Sequence, residues 1–332
     1  MKRLFPLWLA LGFLTLLFYL LPLTRPVEAH PQPGGQDAAQ AANLPAKADN
    51  QVTLANSPVF SLYLPMVSVP PLNPKKGFSA HGSPACTDLK ALRASWYHNG
   101  SPFPDGTCGS EYHQNFVPMI YNKDLMVHLS TAVAQAQVSG YLIGFGEPNL
   151  TEQNSYLSPT EGATLWKQIE DAVVGTNIKL VSPAPNQFNP GQYGQQYGHQ
   201  WTWAMADEFQ RLYGRKPRFD ATAWHIYADS ASQLQNYLTA RHNEAVARGY
   251  NGPVWVLEYA GQCVTSSVPT VQSLMMATAP WLNSTPWIER YAWFATRLTP
   301  GSDAAGNDYS RCSLVDSSSG TVTSLGYTYK DY

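Results

Sequence analysis

The sequence has little charge and few cysteines. Lys and Arg together number 21 and Asp and Glu 23 in 332 residues, a formal net charge of −2. No Lys/Arg cluster follows the N-terminal segment, so the electrostatic footprint of a nucleic-acid-binding protein is missing. The four cysteines form no CxxC pair, and no HxxxH accompanies them, which argues against a zinc site. These absences favour a neutral polymer as partner and predict no metal and no cofactor.

The N-terminus has the pattern of an export signal. Lys2 and Arg3 precede an apolar run at 4–23, and small residues before His30 suit cleavage there. The run approaches the roughly 20 residues that span a bilayer, so an uncleaved N-terminal membrane anchor stays open beside the favoured cleavage. We therefore assign 1–29 to a signal peptide or anchor and expect a secreted or cell-surface anchored protein.

Residues 30–74 are rich in Ala, Gln, Pro, Asn and Gly, a composition that cannot bury enough apolar surface to fold alone. We interpret them as a linker, in which the segment 63–67 could dock on the following domain as a short strand. Residues 75–332 form that domain.

The sequence pattern of the domain predicts a regular alternation of strands and helices. Strand-like apolar runs occur at 77–80, 95–97, 116–121, 141–145, 179–182, 221–227, 254–259 and 290–295. Helical periodicity covers 124–137, 160–174, 201–213, 231–248 and 271–282. Eight strands with helical crossovers are what a closed parallel barrel requires. The predicted fold is α/β, a single (β/α)8 TIM barrel, with long loops at 98–115 and 299–320.

All four cysteines lie in predicted loops, and an even number in an exported protein suggests disulfide bonds. Four cysteines allow three pairings. We expect Cys86–Cys108 and Cys263–Cys312, the second because the loops after the seventh and eighth strands would be neighbours around the rim.

Only two predicted strand ends carry glutamate. Glu147 follows the fourth strand and Glu258 ends the seventh. Active sites of such barrels lie at the carboxyl ends of the strands. Glycosidic cleavage needs one carboxylic acid and one carboxylate, which this pair supplies. The plainer alternative, an ion pair at the rim for each glutamate, is disfavoured because Lys and Arg are almost absent from the strand ends.

Several motifs carry a family resemblance. GFGEPN at 144–149, WHIY at 224–227 and WVLEY at 255–259 resemble the clan of retaining (β/α)8 glycoside hydrolases. KGFS at 76–79, SWYHN at 95–99, FVPMIY at 116–121 and the closing LVD at 314–316 are most similar to glycoside hydrolase family 128. The resemblance implies Glu147 as acid/base, Glu258 as nucleophile and a β-1,3-glucan as substrate.

One position departs from the clan. Asparagine usually precedes the acid/base glutamate and binds the sugar 2-hydroxyl, and this chain has Gly146 there. Loss of that hydrogen bond puts rate and substrate in doubt. Asn149 and Asn122 are the amides that could replace it.

His225 and Tyr227 lie two residues apart on the sixth strand, so both should face the barrel interior. The resemblance implies that one of them hydrogen-bonds the nucleophile; a satisfied polar pair in the core is the equal alternative. By the same parity, Trp224, Trp255 and Leu257 should point outward, toward the helices.

Aromatic side chains at strand ends are candidates for stacking on sugar rings. We consider Trp96, Tyr97, Tyr121, Tyr259 and Trp293, with Trp293 foremost because it would close the cleft beside Glu258. Ordinary core packing is the alternative for each.

The sequence thus predicts a monomeric, retaining, endo-acting β-1,3-glucanase. Two rivals stay open: a catalytically weak carbohydrate-binding barrel, and a clan member acting on xylosides or mannans. Retention requires carboxyl groups about 5 to 5.5 Å apart. Of the two, Glu147 should have the raised pKa and Glu258 should be ionised.

Overall fold

The computed structural model describes residues 71–151, 155–188, 198–301 and 307–332. Within these ranges the strands are β1 (Lys76–Ser79), β2 (Trp96–His98), β3 (Tyr141–Ile143), β4 (Lys179–Val181), β5 (Thr222–Tyr227), β6 (Val254–Ala260) and β7 (Ile288–Phe294). The helices are α1 (Ala85–Leu92), α2 (Leu129–Ser139), α3 (Pro159–Ala172), α4 (Gln200–Tyr213), α5 (Ala231–Ala247), α6 (Val268–Ser284) and α7 (Ser324–Lys330). Short 3₁₀ helices span Ser110–Asn115, Lys123–His128 and Ser310–Cys312.

The predictions of a signal or anchor at 1–29 and of strand docking at 63–67, with most of the predicted linker, lie outside the described residues. Among the helices that are described, none combines the length and hydropathy needed to cross a membrane.

The strands pair in parallel around a ring. One sheet has the order β2-β1-β7-β6-β5 and a second pairs β3 with β4. Parallel bridges join Val181 to Ala221, Met119 to Ile143 and Tyr97 to Phe116, which links the two sheets on both sides. The third predicted strand, 116–121, takes the eighth place in this ring but forms only isolated bridges. Pro118 lies in its middle and has no N–H to donate to a ladder.

The helices begin where the sequence offers caps. The side chains of Ser158, Ser230 and Ser267 accept hydrogen bonds from the first turns of α3, α5 and α6. The five predicted helices are confirmed, although the first is divided into the 3₁₀ helix Lys123–His128 and α2. Helices α1 and α7 were not predicted, since with 8 and 7 residues they show too little periodicity.

Two apolar clusters line the ring of strands, one on its inside and one on its outside. The inner cluster consists only of residues from strands and their continuations, including Trp96, Trp255 and Leu257. The outer cluster, which joins the strands to the helices, includes Trp224. The outward orientation predicted for Trp224 is therefore confirmed, and that for Trp255 and Leu257 is wrong. A β-bulge in β6 is the cause, because it breaks strict alternation.

Both predicted disulfides are confirmed, Cys86–Cys108 and Cys263–Cys312. The first ties α1 to the 98–115 loop, and the second joins the loop after β6 to the loop after β7. The loops that follow the carboxyl ends of β6 and β7 are thus covalently linked.

Candidate active site

Glu147 follows β3 in an unusual backbone conformation. Its φ is 45°, in the left-handed region that non-glycine residues seldom adopt. The backbone N–H donates to Ala184 at 2.8 Å, and the carbonyl accepts from the Leu150 N–H at 2.9 Å and the Ser155 hydroxyl at 3.0 Å. Three hydrogen bonds thus hold the strained residue, as is common at functional sites. The side chain is buried.

Glu258 lies in β6 at the bulge. His225 of β5 pairs with Glu258, whereas Trp224 pairs with Val256, so Leu257 is skipped. The skipped residue allows Leu257 and Glu258 both to face the interior. Glu258 Oε2 accepts a 2.5 Å hydrogen bond from the Tyr227 hydroxyl. Two side chains of β5 therefore meet Glu258 at the same level of the ring.

His225 bridges the two glutamates. Its Nδ1 lies 3.1 Å from Glu147 Oε1 and 3.3 Å from Glu258 Oε2, and the ring is only 1% exposed. One ligand-type atom from each of the three side chains lies within 4.8 Å of the others. The structure thus brings together the two predicted glutamates and both predicted support residues, His225 and Tyr227.

Asn186 is a site residue that the sequence analysis missed. Its Nδ2 donates to Glu147 Oε1 at 2.9 Å. Asn149 in turn donates to the Asn186 carbonyl at 2.9 Å and accepts from its N–H at 2.8 Å. Asn149 therefore supports Asn186, and Asn122 caps the 3₁₀ helix Lys123–His128. The signal available in the sequence was an amide just beyond the fifth strand-like run.

The charges of the site do not follow the prediction for Glu258. Burial, reinforced by the negative charge of Glu147, raises the pKa of Glu258 to about 7, against the lowering effect of His225 and Tyr227. Burial acts to lower the pKa of His225, but Glu258 and Glu147 outweigh it and the net shift is upward. The expectation of a readily ionised Glu258 is thus wrong for the free protein, because desolvation dominates in the ring interior.

Tyr121 explains the glycine beside Glu147. A Cβ on Gly146 would lie 2.3 Å from the Cδ2 and Cε2 atoms of the Tyr121 ring and 2.7 Å from Met119 Cε. A side chain at position 146 therefore excludes the observed position of Tyr121. Burial raises the pKa of Tyr121 well above its usual value, with further contributions from Glu147 and Glu258. Its hydroxyl thus lies within the field of both carboxylates.

The other predicted sugar-binding aromatics pack elsewhere. Trp96 lies in the inner cluster and donates to the Lys75 carbonyl, at the amino end of the ring. Tyr97, Tyr259 and Trp293 belong to the outer cluster. The cleft orientation expected of these four residues is wrong. For Tyr259 and Trp293 the reason is alternation along the strands. Tyr259 follows the inward-facing Glu258 and therefore faces outward, and Trp293 is paired beside it.

A line of rings leads from Glu258 toward solvent. Tyr227 contacts Phe294 at 5.7 Å and Phe188 at 6.4 Å between ring centroids, and Phe294 contacts His81 at 5.0 Å. Phe188 is 57% exposed, and His81 is exposed as well. We call these four residues the aromatic row. No sequence signal marked Phe188, Phe294 or His81.

The site also has the donor set of a cation site, since Glu147, His225 and Glu258 converge. In the structure the same atoms bond directly to one another, to Tyr227 and to Asn186. Two carboxyl groups converging at the carboxyl ends of ring strands are the arrangement by which glycosidases work. The class of protein that the fold and site define is a glycoside hydrolase.

The comparisons with known proteins agree. The chain belongs to the glycosyl hydrolase catalytic core family, whose model matches residues 77–329. No curated protein matches the chain. Among solved structures it is similar to a family 128 subgroup II endo-β-1,3-glucanase from Pseudomonas viridiflava, with 28% identity, a TM-score of 0.60 and coverage of 77% of this chain and 96% of that one.

The chain is also similar to two further solved structures. A mutant of the subgroup I endo-β-1,3-glucanase from Amycolatopsis mediterranei, in complex with laminarihexaose, has 25% identity, a TM-score of 0.59 and coverage of 78% and 99%. A subgroup III curdlan-specific exo-β-1,3-glucanase from Blastomyces gilchristii has 23% identity, a TM-score of 0.61 and coverage of 79% and 100%, and shows the fold alone. The resemblance to family 128 is thereby confirmed.

Proposed function

We propose that this protein is an exported (β/α)8 enzyme that cleaves β-1,3-glucan internally with retention of anomeric configuration. The observation that supports it best is the convergence of Glu147 and Glu258, whose nearest oxygens lie within 4.8 Å of each other and share one histidine nitrogen. Inverting enzymes keep their carboxyl groups about 6.5 to 9.5 Å apart to admit a water molecule. The two similar endo-β-1,3-glucanases support the linkage and the internal cleavage.

The reaction follows from the positions of the two carboxyl groups. Glu258 carboxylate attacks the anomeric carbon, and the bond to the leaving oxygen breaks as Glu147 protonates that oxygen. The product is a glycosyl ester on Glu258. Glu147, now a carboxylate, takes a proton from a water molecule while the water oxygen attacks the same anomeric carbon. The ester bond breaks, and Glu258 is regenerated as a carboxylate.

The first step requires a proton on Glu147 and a carboxylate at Glu258. The raised pKa of Glu258 means that this carboxyl group holds a proton below about pH 7 in the free protein. His225 Nδ1 contacts both carboxyl groups and can move that proton to Glu147 without a water molecule. Asn186 stabilises Glu147 through Oε1 in either protonation state, since its amide donates to that oxygen.

The sugar chain should cross the site between Tyr121 and the aromatic row. Tyr121 is half-buried beside both glutamates, and Tyr227 begins the aromatic row at Glu258. Exposed Phe188 and His81 offer ring faces and edges at its two ends. Aromatic ring faces pack well on the apolar faces of sugar rings. Uncharged aromatic side chains can therefore bind the neutral substrate.

The test is hydrolysis of laminarin and curdlan by the protein, with xylan and mannan as rival substrates. We expect new reducing ends from laminarin, products of several lengths, and an initial β-anomer in the proton NMR spectrum of the products. EDTA should leave the rate unchanged, because the mechanism needs no metal. An α-anomer would show inversion, whereas tight oligosaccharide binding without turnover would favour a carbohydrate-binding barrel.

Glu147→Gln gives the sharpest control. It should abolish hydrolysis of laminarin, whose leaving group needs a proton. With a 2,4-dinitrophenyl glycoside the first step should survive, because that leaving group departs unprotonated. Azide should then restore turnover and yield a β-glycosyl azide. An unchanged rate on laminarin would remove Glu147 from the mechanism.

A further inference from the structure

The β-bulge that orients Glu258 is supported by a side chain from a strand on another side of the ring. On the β5 side of β6 the pairing passes from Val256 to Glu258, and on the β7 side it passes from Val256 to Tyr259. The strand ladders therefore skip Leu257 on both sides. A buried carbonyl without a ladder partner is unfavourable unless another donor reaches it.

His98 supplies that donor. Its Nε2 lies 2.9 Å from the Leu257 carbonyl oxygen, in a buried contact. β2, which carries His98, is separated from β6 by β1 and β7 in the sheet order, so this hydrogen bond crosses the interior of the ring. Because a carbonyl only accepts, Nε2 must carry the proton.

The surroundings of His98 fix the ring and its protonation state. The ring stacks on Trp96 with centroids 6.1 Å apart and an interplanar angle of 27°. It is 2% exposed, and Nδ1 has no hydrogen-bond partner among the described residues. Burial, opposed by the Leu257 hydrogen bond and reinforced by His225 and His81, lowers the pKa of His98 to about 4. The imidazole is therefore neutral at working pH and acts as a fixed donor.

We propose that His98 is a positioning residue for the nucleophile, holding the Leu257 carbonyl and thereby the bulge that aims Glu258 at the sugar. This inference rests on the proposed function, in which Glu258 attacks the anomeric carbon. His98 itself acts only through the backbone of β6. A ring that merely filled space would be replaceable by any side chain of similar volume.

The experiment compares His98→Gln with His98→Leu. Gln can place an amide donor close to the position of Nε2, whereas Leu keeps apolar volume without a donor. His98→Leu should lower kcat about 100-fold with little change in KM, the cost of a misplaced catalytic group. His98→Gln should recover most of that loss. His113→Leu, in the 3₁₀ helix Ser110–Asn115, is the matched control and should behave like the unmutated protein.

A second readout is independent of activity. In the unmutated protein, ¹⁵N NMR of labelled histidine should show one ring protonated at Nε2 that does not titrate between pH 5 and 8 and that His98→Gln removes. An Nδ1-protonated His98, equal kcat values for the Leu and unmutated proteins, or no recovery with Gln would overturn the proposal. If the unmutated protein cleaves no β-1,3-glucan, the proposed function fails, and the NMR result still decides the hydrogen bond.

Discussion

The two ends of the ring interior are built from similar side chains that do different work. At the carboxyl end lie Glu147, His225, Glu258 and Tyr227, the upper cluster. At the amino end, Trp96, Tyr141, Trp255, Glu289 and Arg290 form the lower cluster. There, Arg290 lies 4.6 Å from the ring centroids of Tyr141 and Trp255 and 5.4 Å from that of Trp96. Glu289 accepts hydrogen bonds from Tyr141 at 3.1 Å and Trp255 at 2.7 Å.

The difference lies in which protons can move. Arg290 keeps its proton at every ordinary pH, and the Trp255 N–H and Tyr141 O–H are not acidic near neutrality. Arg290, Trp255 and Tyr141 thus each keep one protonation state near neutrality, and their contacts serve to stabilise the fold. In the upper cluster the pKa of Glu258 is raised to about 7, and the pKa of the neighbouring His225 is raised as well. A proton can therefore be exchanged there, which chemistry requires.

The same substitution at each end tests this contrast most strongly. Glu258→Gln keeps the shape but cannot form the glycosyl ester, so kcat should fall by about 10⁴-fold or more. Its melting temperature should be equal or higher at pH 7, because a neutral amide replaces a buried acid that ionises there. Glu289→Gln should keep kcat within about twofold and lower the free energy of unfolding by roughly 1 to 2 kcal/mol.

Both variants are assayed on laminarin and by urea denaturation. Near-normal turnover by Glu258→Gln would show that Glu258 is not the nucleophile. Equal losses of kcat in the two variants would mean that the two ends do not differ as described.

Gly146→Ala tests how tightly the upper cluster is built. The added methyl would overlap the Tyr121 ring at 2.3 Å, so Tyr121 must move beside the glutamates. We expect kcat/KM to fall about 100-fold. Gly106→Ala is the matched control, because a Cβ at that position would meet no atom within 4 Å and its φ is not left-handed. Removing the ring in Gly146→Ala/Tyr121→Ala should relieve the overlap, so the two changes should be non-additive. Additive losses would argue against direct contact.

Arg290→Met tests the lower cluster by itself. The substitution keeps much of the apolar stem but removes the cation from three ring faces, and it should lower the free energy of unfolding by about 2 kcal/mol. kcat below the melting temperature should be unchanged. A loss of kcat without a loss of stability would show that the lower cluster influences the upper one.

The sequence alone predicted much of this arrangement. Strand-like runs and helical periodicity were sufficient for the ring. Glu147 and Glu258 could be selected because few carboxylates occupy strand ends. What failed was orientation, since strict alternation from an inward-facing Glu258 sends Trp255 and Leu257 outward. A single skipped residue, Leu257, reverses both, and nothing in the local sequence signals a bulge whose carbonyl is bonded from across the ring.

Long-range partners were missed for a related reason. Asn186 reaches Glu147 from a separate loop, and the aromatic row is assembled from four different strand ends or loops. Such residues have no mutual spacing in the chain. The raised pKa of Glu258 also depends on burial within the finished ring, which the sequence does not report.

The upper cluster should also influence stability as pH changes. Because the pKa of Glu258 rises from 4.5 to about 7 on folding, the folded protein holds a proton that the unfolded chain releases between those values. This stabilisation is complete below pH 4.5 and is lost as pH rises through 7; the raised pKa of His225 acts in the same direction, from pH 6.5 upward. The free energy of unfolding should therefore decline from about pH 5 to 8, with Glu258 contributing at most about 3 kcal/mol. Urea denaturation of the unmutated protein and Glu258→Gln across this range measures the contribution of Glu258 together with its effect on the pKa of His225. The difference between the two curves should widen as pH rises, and parallel curves would mean that folding leaves the pKa of Glu258 unchanged.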